Sequence, residues 1–535
     1  MKIVLAQINC TAGDLHGNSL KILHACQHAR DTEATLVITP EMALCSYLPE
    51  DWLLRKEFIQ ACYQALTTLA AQIQDITLVV GHPLYKDGRL FNAVSVIQNG
   101  HLLTTYRKNH LFTDQLLDER RYFTPGNQLC TFKCDNTFFG LVTFSDCQHP
   151  AYLSALCATD AQVLLVLDTS PYSPGSQAER YRTLREGIMQ TSLPAIYINQ
   201  VGGQDELVFD GASFAMDRTG TLIHQLTAFE ETLGLIKLHH NRFIPEQCSR
   251  LPDRIEGIYA ALKLGLYDFI CKNKILGVLI GLSGGVDSAL VLAIAVDALG
   301  ADRVSTVMMP SPYTADISLQ DAQSMADNLG VRHISLPISP LFDQFRQTLQ
   351  TELQNSPPSG SQTTLENLQA RIRGTLLMAL SNQTGKLVLT TSNKSETAVG
   401  YSTLYGDMAG GFSVLKDISK TLVYQLCHYR NRLSPVIPER ILQRPPSAEL
   451  RPDQTDQDSL PPYDVLDAII TAYVEDNLSP EEIIAMNYPA EIVHRVLRMI
   501  HSCEYKRRQT APGIRITRRD FGRSWSFPIT FKFQE

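Results

Sequence analysis

The sequence predicts an α/β protein of two domains, an α-β-β-α sandwich followed by a doubly wound parallel sheet. Three observations predict it. Strand-like and helix-like runs alternate through residues 1–238; a polar, proline-bearing stretch at 239–254 interrupts them; and a second βα alternation begins at Ile255. At 535 residues the chain is long enough for two or three well-buried cores, and the domains are expected at 1–245 and 255–535.

Apolar runs at 2–8, 36–39, 77–81, 93–98, 138–144, 163–167 and 195–199 read as strands, with helical patterns between several of them. Asn99-Gly100 has the composition of a hairpin turn. In the second domain, 275–282 reads as a buried parallel strand and 289–300 as a helix stopped by Gly300. Strands are expected at 303–309, 333–337 and 387–391, with helices at 316–329 and 365–380. The stretch 355–364 is rich in Ser, Pro and Gly and reads as a loop. The tail from Ser479 to Glu535 holds a helix pattern and then the basic cluster Lys506-Arg507-Arg508.

Composition narrows the function classes. A net charge of −8 with 19% charged residues argues against bulk electrostatic binding of nucleic acid. The first nine residues lead straight into polar sequence and read as a strand rather than a signal peptide, and no apolar run is long enough to cross a bilayer. The 12 cysteines are scattered without a CxxC pair, which suits reduced thiols and a cytoplasmic location. Cys130 and Cys134 have no second pair at zinc spacing, and His24 and His28 read as one solvated helix face.

The most informative segment is Gly281-Leu282-Ser283-Gly284-Gly285-Val286-Asp287-Ser288, between the 275–282 strand and the following helix. A strand, a tight glycine turn and a helix N-terminus make an anion site, because backbone N–H groups and the helix dipole both face the turn. Gly284 and Gly285 let the main chain approach a phosphate, Ser283 and Ser288 add hydroxyls, and Asp287 can hold Mg2+. The lysine of an ordinary P-loop is absent. Further on, Thr391 and Glu396 follow a strand where α/β ligand sites sit; Thr391 can contact a nucleotide, and Glu396 can share a metal with Asp287. Lys420 and Lys506 are candidates to neutralise phosphate charge.

The SGGVDS turn resembles the loop of the ATP pyrophosphatases, which split ATP between its α- and β-phosphates. The segments 366–374 (ENLQARIRG), 400–411 (GYSTLYGDMAGG) and 444–456 (RPPSAELRPDQTD) resemble the synthetase domain of bacterial two-domain NAD+ synthetases, almost continuously from Ile255 to Phe533. The resemblance implies ATP and Mg2+, with adenylation of deamido-NAD+ and displacement of AMP by ammonia. It assigns ATP to Gly281 through Ser288, Thr391, Lys420 and Ser447, and the metal to Asp287 and Glu396. It assigns deamido-NAD+ to Asn367, Arg371, Glu396, Asp407 and Lys506. It also implies a large homo-oligomer.

The first half resembles the nitrilase-like carbon-nitrogen hydrolases, which use a Glu–Lys–Cys triad to strip ammonia from glutamine. Thr39-Pro40-Glu41 supplies the glutamate as Glu41, and Tyr106-Arg107-Lys108 supplies Lys108. The family's nucleophile position, aligned through Gly140, Asp146 and Pro150, holds Phe144. Asp114 stands where the family has a tyrosine, and Gln148-His149 replace an aromatic pair, whereas 199–211 keeps the family pattern. Cys147 lies three residues past Phe144. In an extended strand that is about 10 Å and the opposite face. On that geometry the expectation is a degenerate glutaminase and dependence on free or delivered ammonia. The alternatives are a glutaminase that uses Cys147, or another adenylating amidotransferase.

Overall fold

The computed structural model describes residues 1–113, 118–245, 248–355, 361–530 and 532. Asp114, Phe533 and much of the expected loop at 355–364 lie outside them. The chain divides into two compact units, Met1–Arg254 and Ile255–Glu535.

In the first unit, alternation along the strand Lys2–Gln7 sends Ile3 and Leu5 to one face and Val4 and Ala6 to the other, all fully buried. Both faces are covered. Ile3 and Leu5 share a core with Leu141, Leu165 and Ile196 of a second sheet. Val4 and Ala6 pack on the helices Leu15–Asp31 and Lys56–Ala71 through Ile22, Ala25 and Leu66. The outer face of the second sheet, with Val142, Leu164 and Val166, packs on the helix Ser176–Thr191 through Leu184 and Ile188. The layers are therefore helix, sheet, sheet, helix. The first sheet has seven strands, with Lys2–Gln7, Leu36–Ile38 and Thr77–Lys86 parallel at its centre; the second has six, with Thr137–Thr143, Val163–Leu167 and Ala195–Ile198 parallel. The Asn99-Gly100 hairpin joins Arg89–Gln98 to the antiparallel strand His101–Arg107.

One expected strand ends early, and this matters for the site. The strand stops at Thr143, and Phe144–Cys147 is a single helical turn.

The second unit is built on a five-stranded, all-parallel sheet in the order Arg332–Ser335, Val304–Met308, Val278–Gly281, Leu387–Thr390, Phe412–Ser413. The chain runs outward on one side of Val278–Gly281 and then returns to its other side at Leu387. The loops after these two strands diverge there and leave a crevice at the carboxyl edge, where ligands bind in open α/β sheets. The helix Val286–Leu299 follows the central strand directly; Ala289 through Ala295 are all fully buried. The C-terminal helices Tyr463–Ile470 and Ala490–Ser502 pack together through Leu466, Ile469, Val493 and Val496. Among the described residues, no helix is long and apolar enough to cross a membrane.

Candidate functional sites

In the second unit the turn after Val278–Gly281 closes on itself through its two serines. Ser288 Oγ donates to the Gly285 carbonyl (3.0 Å), and Ser283 Oγ accepts from the Gly285 N–H (3.2 Å). Gly284 has a φ of +80°, and a Cβ there would lie 2.5 Å from the Ser318 carbonyl oxygen. Only glycine fits that backbone without strain. Val286–Leu299 begins at once, and no side chain caps it, so its first N–H groups stay available to an anion.

Facing the turn is a compact charge cluster. Lys420 Nζ lies 2.6 Å from Asp287 Oδ2 and 3.4 Å from Glu396 Oε1. Asn393 organises both acids. Its Nδ2 donates to Asp287 Oδ1 (2.9 Å), and its Oδ1 accepts the Glu396 N–H (2.9 Å) in a capping box that starts the helix Lys394–Val399. Burial pushes the Glu396 carboxyl up to about 8 against the pull of Lys420, with Asp287 and Asp456 adding repulsion. Burial alone would lower Lys420; Asp287 and Glu396 outweigh it and hold the ammonium charged. Two carboxylates crowded around one ammonium form an all-oxygen donor pair that fits a hard divalent cation such as Mg2+.

One cavity is lined by Gly281 through Ser288, Thr391, Glu396, Asp407, Lys420 and Ser447, so these expected residues come together. Asn367 and Lys506 do not line it but are tied to it through the 400–407 turn. Thr403 donates its N–H to Asp407 (2.8 Å) and its hydroxyl to Asn367 (2.8 Å), while Lys506 holds the carbonyls of Gly400 and Ser402. Burial raises Asp407 to about 6 against the bonds from Thr403 and the charge of Lys506. Arg371 is not brought in: it is exposed and, among the described residues, donates only to the Leu404 carbonyl (3.3 Å). The cavity takes Arg373 instead, with Arg444, Glu449 and Asp456, all missed from sequence. Arg373 lies two residues from Arg371 on one helix, and a helical wheel does not show which of them faces the sheet.

In the first unit, Lys108 is fully buried, with Nζ 2.8 Å from Glu41 and 2.9 Å from Glu119. Asn92 Nδ2 donates to both acids (2.5 and 2.9 Å), so Glu119 belongs to the cluster. Nothing in the run Asp118-Glu119-Arg120-Arg121 distinguishes Glu119 from a solvated charge. Burial lifts Glu41 to about 8 against Lys108, with Glu119 and Asp168 raising it further. Glu41 Oε2 has no hydrogen-bond partner among the described residues, so one oxygen of a proton acceptor is held ready.

Phe144 and Cys147 are both buried in the core beneath the second sheet. Positions three apart in a helical turn share a face, with Cβ atoms about 5–6 Å apart. Burial raises the Cys147 thiol far above its usual value, with Asp146 and Asp168 contributing. Asp168 acts on Glu41 and on Lys108 as well, so thiol and acid–lysine cluster share an electrostatic neighbour. Asp146 joins the turn to the chain beside Lys108 by accepting the His110 N–H (2.8 Å) and Nδ1 (2.6 Å). His149, one of the two residues replacing the aromatic pair, stacks on His110 at 3.5 Å.

A model of the NAD synthase family matches residues 258–510, and one of the carbon-nitrogen hydrolases matches residues 2–242. The chain is 44% identical over 534 residues to the glutamine-dependent NAD(+) synthetase of Acinetobacter baylyi, covering 99% of this chain and 98% of that protein. It is 40% identical to that of Thermotoga maritima, covering 100% and 99%. The glutamine-dependent NAD+ synthetase of Acinetobacter baumannii, solved in complex with adenosine diphosphate, superposes with a TM-score of 0.80 at 41% identity, covering 99% and 98%.

These findings correct the expectation that Phe144 makes the glutaminase degenerate and the reaction ammonia-dependent. That expectation placed residues 144–147 in an extended strand, with Cys147 on the far face. They form a helical turn, with both side chains in the same core. The charged cluster is fully assembled, buried thiols lie in the same unit, and the relatives matched along their whole length are glutamine-dependent.

Proposed function

Because the chain belongs to the two-domain glutamine-dependent NAD+ synthetases, and is thus a ligase of the NAD+ synthase class, we propose that it amidates deamido-NAD+ at the expense of ATP with nitrogen released from glutamine. The Asp287–Lys420–Glu396 cluster, facing the Ser283–Ser288 turn in one cavity, carries this reading.

The nicotinate carboxylate attacks the α-phosphorus of ATP; the bond to the bridging oxygen breaks, and pyrophosphate leaves. Ammonia then adds to the acyl-adenylate, and AMP departs with the bonding pair. Turn N–H groups and the helix N-terminus bind phosphate oxygens, and Lys420 offsets their charge. Asp287 and Glu396 would hold Mg2+, which when bound neutralises charge on the departing pyrophosphate. Asn393 holds both carboxylates, that of Asp287 through Nδ2 and that of Glu396 through its backbone N–H. The coupled network of Asn367, Asp407 and Lys506 supports a role in seating the dinucleotide.

In the first unit the candidate nucleophile is Cys147. Its sulfur would attack the glutamine carboxamide, Glu41 would take the thiol proton, and Lys108 would offset the oxyanion. Ammonia leaves and water cleaves the thioester to glutamate. Purified protein given deamido-NAD+, ATP, Mg2+ and amide-15N glutamine is expected to yield 15N-labelled NAD+, AMP and pyrophosphate. Cys147→Ala should abolish glutamine-driven turnover while turnover with ammonium salts persists. Full glutamine-driven turnover in that variant would remove Cys147 from the reaction, and no product from either nitrogen source would overturn the reading.

A further inference from the structure

The synthetase cavity is lined by three cationic side chains, and two of them are already neutralised by the protein. Lys420 sits between Asp287 and Glu396. Arg444 is paired with Glu449 and donates to Ser318 Oγ (2.6 Å). Arg373 differs. Its Nε donates to the Met309 carbonyl (3.0 Å), and no ion pair or other hydrogen bond engages its two terminal amino groups among the described residues.

Its position is fixed from both sides. Next to it, a Cβ on Gly374 would lie 2.9 Å from the carbonyl oxygens of Tyr405 and Gly406, so the helix Ser361–Thr384 is pressed onto the turn that carries Asp407. One turn further, Leu377 lies 3.3 Å from where a Cβ on Gly281 would stand, so the same helix lies over the strand end that feeds the phosphate turn. The helix that carries Arg373 is therefore held in place, and the Nε bond to the Met309 carbonyl anchors the side chain.

We infer that Arg373 is a further anion-binding residue of the cavity, its two free terminal amino groups taking oxygens of a phosphate, either on the nucleoside triphosphate or on the acid dinucleotide. This rests on the cavity being the adenylation site. Burial pulls the guanidinium down to about 10 against the charges of Glu449 and Asp407, so a fixed, poorly solvated cation awaits a counter-ion. A planar fork with two free amino groups matches two phosphate oxygens in a way that an ammonium does not.

The test uses the full chain carrying Arg373→Gln or Arg373→Lys. Titrations of ATP–Mg2+ alone and of deamido-NAD+ alone are read by calorimetry, beside pyrophosphate exchange and melting temperature. Loss of a charge-assisted bond corresponds to about 10- to 100-fold in affinity. The expected result is a loss of that size for Arg373→Gln in one ligand, which identifies the source of the phosphate. Only partial recovery is expected with Arg373→Lys, and partial rescue of the Gln variant by added guanidinium. Binding of both ligands within about twofold of wild type in a folded variant would overturn the assignment. So would loss of folding in Arg373→Lys, since that makes the arginine structural. The binding arms need no turnover, so an absence of NAD+ formation in the wild type would count against the proposed reaction and not against Arg373.

Discussion

Gly284→Ala tests whether the phosphate turn depends on its backbone shape. At φ +80° an alanine costs about 1–2 kcal/mol in conformation alone. Its Cβ would also lie 2.5 Å from the Ser318 carbonyl oxygen and 2.9 Å from Ser318 Cα, so the two chains must part by about 1 Å to reach contact distance. Ser318 cannot yield cheaply, because its hydroxyl donates to Glu449 (2.6 Å) and accepts from Arg444. The turn moves instead, and a displacement of about 1 Å at reacting atoms costs on the order of 100-fold in rate. Gly285→Ala is the paired control. Its φ is −92° and its Cβ would meet only the Ser283 hydroxyl at 3.3 Å, a side-chain neighbour, so the loss should stay below about tenfold. The assay is exchange of labelled pyrophosphate into ATP with deamido-NAD+ present, beside thermal unfolding. Equal effects of the two substitutions, or exchange in Gly284→Ala within about twofold of wild type, would refute the reasoning.

Three further outcomes follow from buried charge. Burial raises the Glu396 carboxyl well above the usual carboxylate range, so pyrophosphate exchange should rise with pH through the neutral region, and more Mg2+ should move the rising limb to lower pH because metal and proton compete for one carboxylate; a limb indifferent to Mg2+ would remove Glu396 from the metal. His82 is buried, donates Nδ1–H to the Pro83 carbonyl and accepts from Ser95, and burial depresses it from 6.5 to about 4 against that backbone bond. Its folded value lies below its unfolded one, so its contribution is complete above pH 6.5 and is lost as pH falls through 4, about 3 kcal/mol in all; urea titrations across that window should show a shallower fall for His82→Gln. Arg180 donates to both oxygens of Asp210 (2.8 and 2.9 Å) in the core, so Asp210→Asn leaves a buried cation without its counter-charge and should cost about 3–5 kcal/mol, read as a lower denaturant midpoint.

The phosphate turn was legible because its chemistry is local: six consecutive residues supply glycine freedom, two closing hydroxyls and an acid at a strand–helix junction. The layered fold was legible because both faces of strands such as Lys2–Gln7 are buried, which leaves near-continuous apolar runs. Glu119 and Arg373 were not legible, since each owes its role to contacts distant in the chain: Asn92 and Lys108 for the one, Met309 for the other.

At Cys147 a single residue of strand length decides which face of the chain the thiol takes. A strand one residue longer, ending at Phe144, carries a period of two onto the residues that follow and puts the side chain three positions on at the opposite face. The strand ends at Thr143, whose hydroxyl, like the His110 N–H and ring, bonds to Asp146. With Asp146 satisfied from one side, the chain turns helical, and Phe144 and Cys147 enter one core together. Asp146 is thus the residue that orients the turn, and burial holds its carboxyl up to about 7 despite bonds from His110, Asn109 and Thr143. Asp146→Asn would keep the shape but replace one acceptor with a donor, facing either His110 or Tyr106. It should lower glutamine-driven turnover at least about tenfold while ammonium-driven turnover stays at the wild-type rate. Equal losses with both nitrogen sources would show that Asp146 serves the stability of the fold and not the orientation of the thiol.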